Sequence, residues 1–286
     1  VISDSLSKGL TLETKSIKIT VGGETYTPGE ALVATTEGFT LTFPSAYALS
    51  NSGKSVVITY KAKLNDQAGI NFDANTNTAT LEYSNNPSDM NDTEKISDKT
   101  YTYTFGIDAS LYASSETLNY ETSELIKVDE NGNVISKVTE ISENPPEGKT
   151  EVLTGATFTL TNNATNKVYT ATTDVNGKMK FEGLDAGTYT LVETAAPSGF
   201  TVDTTPHIVE ITAQYYESEP NKGLLEYYSI TIDGEATSTY TATYEGGTIT
   251  NIDKDTHTTE IKNSKLATLP STGGIGTTIF TIGGCV

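Results

Sequence analysis

Tryptophan and arginine are missing from this 286-residue chain, and cysteine occurs only once. Each absence excludes something. With Cys285 alone, no disulfide can form within the chain, so robustness has to come from elsewhere. All 18 basic residues are lysine, set against 37 acidic ones, for a net charge of −19. Nucleic acid repels such a surface and is read largely through arginine, which excludes it as a partner. His207 and His257, the only two histidines, have no companions at metal-ligand or catalytic-triad spacing. The run Asp129-Glu-Asn-Gly-Asn133 resembles the start of a calcium loop but lacks its downstream ligands, and Asn131-Gly132 reads better as a hairpin turn. No metal, no cofactor and no enzyme activity on an external substrate are expected.

What the chain does have is threonine, tyrosine, valine and isoleucine in alternating runs, such as Tyr101-Thr-Tyr-Thr-Phe105 and Thr188-Tyr-Thr-Leu-Val-Glu193. No window sustains a helical period, so the fold class is all-β. Short strands separated by turn signals suggest two immunoglobulin-like sandwiches in tandem. The first spans residues 1–98, with strands expected at 16–21, 39–43, 56–64 and 78–83. The polar stretch 87–99 lacks periodicity and is expected to be the boundary. The second spans 99–266, with strands at 125–128, 156–160, 168–172, 179–181, 188–193, 208–211 and 259–263, and a Tyr- and Thr-rich hairpin insertion near 214–250. Residues 267–286 form a separate tail.

Three strands of the second domain carry a polar residue in phase with an apolar one: Leu125 with Lys127, Leu191 with Glu193, and Ile261 with Asn263. Lysine and glutamate are rarely buried unless they are paired. Burial disfavours the charged form of both groups, leaving a nucleophilic amine and a carboxyl able to shuttle a proton. Attack of Lys127 on the Asn263 side chain would release ammonia and leave a covalent isopeptide bond between the first and last strands. Asn251, in phase with Ile249, is an alternative acceptor.

The stretches Leu125-Ile-Lys-Val-Asp129 and Ile261-Lys-Asn263, and above all GTYTLVETAAPSGF at 187–200, resemble the CnaB-type domains of Gram-positive pilins and adhesins. The resemblance implies that Lys127 and Asn263 form the crosslink and that Glu193 is its proton shuttle. The first domain resembles the fimbrial isopeptide-formation D2 domain at Ile2-Ser-Asp4-Ser-Leu-Ser-Lys-Gly-Leu10, Asn77-Thr-Ala-Thr-Leu-Glu-Tyr83 and Asn86-Pro87. That likeness implies Asp4 as the acid and Asn77 as the acceptor. The family's donor lysine lies before the aspartate, where this chain has only three residues, none of them lysine, so the first domain is expected to be N-terminally truncated and uncrosslinked.

In the tail, Leu269-Pro-Ser-Thr-Gly273 matches the LPxTG sorting signal, followed by Gly-rich apolar sequence. Pro270 keeps the segment out of a strand ladder and leaves it free to enter another protein's groove. By resemblance, a sortase attacks Thr272, releases Gly273 onward, and passes the chain to peptidoglycan or to a lysine of another pilin subunit. Only 13 residues follow Gly273, none of them basic, whereas a membrane-spanning helix needs roughly 20 apolar residues. The anchor is therefore also expected to be truncated. The expected protein is a covalently anchored extracellular pilin subunit. The alternative is a wall-anchored adhesin in which these domains are a stalk and the partner is a host surface ligand.

Overall fold

The computed structural model describes residues 1–84, 92–110, 123–130, 156–172, 178–197, 199–257 and 259–264. In chain order its strands are β1 (Ile2–Leu6), β2 (Leu10–Leu12), β3 (Lys18–Val21), β4 (Glu24–Tyr26), β5 (Leu32–Thr35), β6 (Gly38–Leu41), β7 (Val56–Thr59), β8 (Ala62–Leu64), β9 (Asn75–Ser84), β10 (Thr93–Thr102) and β11 (Phe105–Ser110). They continue with β12 (Ser123–Asp129), β13 (Thr157–Asn162), β14 (Val168–Thr172), β15 (Lys178–Leu184), β16 (Gly187–Ala195), β17 (His207–Tyr215), β18 (Leu225–Ile232), β19 (Ala236–Glu245), β20 (Thr248–Asp255) and β21 (Thr259–Asn263). Among the described residues one short α-helix, α1 (Ser45–Ser50), interrupts them. The chain is all-β, as its alternation implies.

These elements form two compact units. One comprises residues 1–107, 181–188 and 209–256; the other comprises the described parts of 108–180, 189–208 and 257–286. This differs from the tandem order expected above in two places. Residues 93–99, expected as part of the boundary, lie in β10, which pairs with β9 along ten positions. Its side chains are exposed on nearly every position, so no apolar alternation marks it in the sequence; the backbone ladder holds it. The Tyr-rich segment near 214–250 falls with the first unit, as part of the antiparallel meander β17–β18–β19–β20.

In the first unit β10, β9, β1, β6 and β5 form one sheet in that order, and β4, β3 and β7 another. Leu6, Leu12 and Phe39 are buried between Ile17, Leu32, Ile58 and Tyr60. Gly38 (φ +151°) allows β6 to lie close to β1, since a Cβ there would collide with the Asp4 carbonyl. A second apolar region gathers aromatic rings. Tyr228 lies 5.3 Å from Phe72 and 5.1 Å from Phe105, and stacks on Tyr240 at 4.6 Å. The Leu225 N–H donates to the Tyr103 hydroxyl (3.1 Å), and the Tyr244 hydroxyl donates to the Leu225 carbonyl (2.9 Å). Buried phenols need such partners, which is why the polar tips of these tyrosines meet backbone groups.

In the second unit β13 pairs with β14 on one side and with β16 on the other, and β12 runs parallel to β21. β13 alternates strictly, burying Phe158, Leu160 and Asn162, while β16 buries Tyr189, Leu191 and Glu193. Leu125 and Ile261 are buried on β12 and β21. The inward row of β16 therefore ends in a carboxyl group, at a position where the pattern of alternation calls for an apolar side chain.

The aromatic region gives a direct check on the grouping of 209–256 with the first unit. Tyr228→Ala removes the ring common to three of its contacts and should destabilise that unit by about 3–5 kcal/mol. The readout is a lowered urea midpoint, and an unchanged midpoint would contradict the packing described.

Candidate acceptor sites in both units

Glu193 is 1% exposed, and Asn263, at the end of β21, is 2% exposed. The Asn263 Nδ2 donates to Glu193 Oε2 at 2.8 Å and to the Thr201 carbonyl at 2.7 Å. The same Oε2 accepts the Asp203 backbone N–H at 2.8 Å. Asn263 Oδ1 is buried and has no hydrogen-bond partner among the described residues. Lys127 occupies β12, where its backbone pairs with Ile261, two residues before Asn263 on the parallel neighbour. Its side chain lies outside the described residues. Of the residues expected here, the structure brings Glu193 and Asn263 into contact and places the Lys127 backbone on the strand next to Asn263. Asn251, the alternative acceptor, is exposed on β20 and donates to Asp253 Oδ1 (2.9 Å). It has no part in this arrangement.

A second carboxyl–carboxamide pair lies in the first unit. Asp4 is buried on β1, and Asn77 sits on β9 opposite Leu6. The Asn77 Nδ2 donates to Asp4 Oδ2 (3.1 Å) and to the Tyr60 hydroxyl (2.6 Å), which itself donates to Asp4 Oδ2 (2.8 Å). Asp4 Oδ1 and Asn77 Oδ1 are buried without a partner among the described residues. Burial, and next the bond to Asp4, push the Tyr60 hydroxyl up to about 12. Tyr60 escaped the reading of the sequence, although its phase with Ile58 placed it on the inward side of a predicted strand.

Each site therefore holds a carboxamide with its nitrogen on a carboxylate oxygen and on one further acceptor. Such an amide is oriented, and a carboxyl beside its nitrogen is within reach for proton transfer if an amine attacks the carbonyl carbon. Among the described residues no three or more His, Cys, Asp or Glu side chains converge to hold a metal ion. No helix among them is long and apolar enough to cross a membrane. The motif at Leu269, Pro270, Ser271, Thr272 and Gly273 lies outside the described residues.

Residues 139–222 match the SpaA family of prealbumin-like fold domains, and residues 261–285 match the LPXTG cell wall anchor motif of Gram-positive bacteria. Glu193 falls in the first match and Asn263 in the second. The chain thus carries a match to a prealbumin-like domain of the SpaA family and, after it, a match to the Gram-positive LPXTG cell wall anchor motif. It is 27% identical over 332 aligned residues to the trypsin-resistant surface T6 protein of Streptococcus pyogenes serotype M6, covering 98% of this chain and 56% of that one. It thus spans a little over half the length of that relative. In fold it resembles the T6 backbone pilin of the same serotype, a modular three-domain structure, with a TM-score of 0.56 at 21% identity. That likeness covers 93% of this chain and 61% of the other. The pilus backbone RrgB of Streptococcus pneumoniae gives a TM-score of 0.52 at 14% identity, over 92% and 88% of the two chains.

The Tyr60 site makes two predictions. Folded Tyr60 keeps its proton to higher pH than an unfolded tyrosine, whose value is about 10. The unfolded chain therefore releases that proton first, and stability falls as pH rises from about 10 to about 12. Tyr60→Phe should remove that part of the alkaline loss. At neutral pH it should cost about 1–2 kcal/mol, because Asp4 and Asn77 lose their shared partner. Urea midpoints of both proteins across this range check the point; parallel pH dependences would contradict it.

Proposed function

We propose that the chain is a structural subunit of a sortase-assembled pilus, stabilised by an isopeptide bond that it forms within itself. The observation that carries this reading is the buried Glu193–Asn263 pair, with Asn263 on the strand beside that of Lys127. A buried carboxyl and carboxamide in contact have no use in a core that apolar side chains could fill, but they are the two groups that transamidation needs. In the proposed step Lys127 Nζ attacks Asn263 Cγ and an Nζ–Cγ bond forms. The Cγ–Nδ2 bond breaks, Glu193 passes the proton lost by the amine to Nδ2, and ammonia leaves. Atoms balance with no cofactor and no external reagent. Asp4 and Asn77 are the acid and acceptor of a corresponding site in the first unit.

The anchor motif supplies the other half of the proposal. A sortase cleaves between Thr272 and Gly273 and joins the chain to peptidoglycan or to an amine of another subunit. The protein is then a substrate of its partner enzyme, and its own chemistry is limited to the single crosslink.

Intact mass spectrometry of the full chain tests the crosslink. The parent should be lighter than its sequence by one ammonia, and Lys127→Ala, Glu193→Ala and Asn263→Ala should each restore the full mass. A parent at full mass would overturn the Lys127–Asn263 bond. Deleting residues 269–273 should move the protein from the cell wall fraction to the medium; retention in the wall would refute sortase anchoring.

A further inference from the structure

The orientation of the Asn263 amide is fixed by more than Glu193. Its Nδ2 has two protons, and both are used: one on Glu193 Oε2 and one on the Thr201 carbonyl. A carboxyl group can donate or accept, depending on its proton, so by itself it would tolerate a flipped amide. A backbone carbonyl only accepts. Flipping Asn263 would set its Oδ1 against the Thr201 oxygen, 2.7 Å from where the nitrogen now lies, and that arrangement is repulsive whatever the state of Glu193. The Thr201 carbonyl is in turn held in place. The Thr201 N–H donates to the Ser264 carbonyl at 2.8 Å, immediately beyond Asn263, so the loop and the end of β21 grip each other. Two residues on, the Asp203 N–H donates to Glu193 Oε2, and Asp203 Oδ1 accepts the Thr205 N–H at 3.0 Å, closing a local turn.

We propose that the backbone of residues 201–203 is the positioning device of the crosslinking site. The Thr201 carbonyl holds the Asn263 nitrogen, the Asp203 N–H holds the Glu193 carboxyl, and together they fix the leaving nitrogen beside the group that protonates it. This rests on the crosslinking reaction proposed above and adds a requirement to it. As the Lys127 nitrogen bonds to Cγ, the Cγ–Nδ2 bond breaks and Nδ2 gains a proton through Glu193. The growing positive character on that nitrogen is met by the Thr201 oxygen, an acceptor already at hydrogen-bond distance. Thr201 and Asp203 make these contacts through backbone groups.

The test compares the parent with variants that remove the backbone donors. Full chain is made by cell-free synthesis, and loss of ammonia is followed by intact mass. Thr201→Pro removes the donor to Ser264, and Asp203→Pro removes the donor to Glu193; each should slow the reaction about tenfold or more. Proline variants that crosslink at the parent rate would overturn the proposal. A measurement that does not depend on their folding uses the Lys127→Ala chain, in which the amide stays intact. There the two Asn263 side-chain protons should give separate NMR signals and exchange with water about a hundredfold more slowly than those of exposed Asn251. Exchange as fast as that of Asn251 would overturn the proposal. A parent that never loses ammonia defeats the crosslink instead, while the exchange measurement still reports on the clamp.

Discussion

A carboxyl group buried among leucine and aromatic side chains sets the terms for the second unit. Glu193 continues the inward row of Tyr189 and Leu191 on β16 and is almost wholly removed from water. A carboxyl there is costly unless donors reach it. The chain answers by folding the segment after β16 back over the site, so that the Asp203 N–H meets Oε2, and by ending β21 at Asn263. Local order in that segment follows from the need to satisfy one oxygen. So does the contact between Thr201 and Ser264, which fastens it to the last strand.

The placement of the site also suits the crosslink proposed above. β12 and β21 are parallel neighbours, one early in the second unit and one at its end. Tension applied through the two ends of such a pair loads it in shear, and a covalent bond between the strands carries force that a hydrogen-bond ladder would otherwise take alone. With a single cysteine, the chain cannot use an internal disulfide for this purpose. The proposed amide link needs only lysine, glutamate and asparagine, and it is indifferent to redox conditions. The first unit presents the same logic in a different form, with the Tyr60 hydroxyl in place of a backbone carbonyl as the second acceptor for the amide nitrogen.

Much of this was legible in the sequence because alternation is a strong signal where one face is buried. Glu193 and Asn263 stood out as polar residues in apolar phase, and Asp4 and Asn77 through the resemblance of their segments; the structure puts each pair in contact. Other features left no trace. β10 is polar on both faces, so nothing in its composition distinguishes it from a linker. The meander of 209–256 falls with residues 1–107 through contacts far apart in sequence, such as Leu225 with Tyr103, which no local pattern encodes. Thr201 and Asp203 act through backbone groups, which every residue has, so their identities carry no signal. Asn251 shows the opposite failure. Its phase with Ile249 suggested burial, yet it lies exposed on β20, where the alternation serves a sheet open to solvent.

The most direct test of the account is a proteolytic map of the purified chain by tandem mass spectrometry. The account predicts a branched peptide in which the segment containing Lys127 is joined through its Nζ to the side chain of Asn263, with one ammonia lost. Two linear peptides, one with an unmodified Lys127 and one with an intact Asn263 carboxamide, would contradict it.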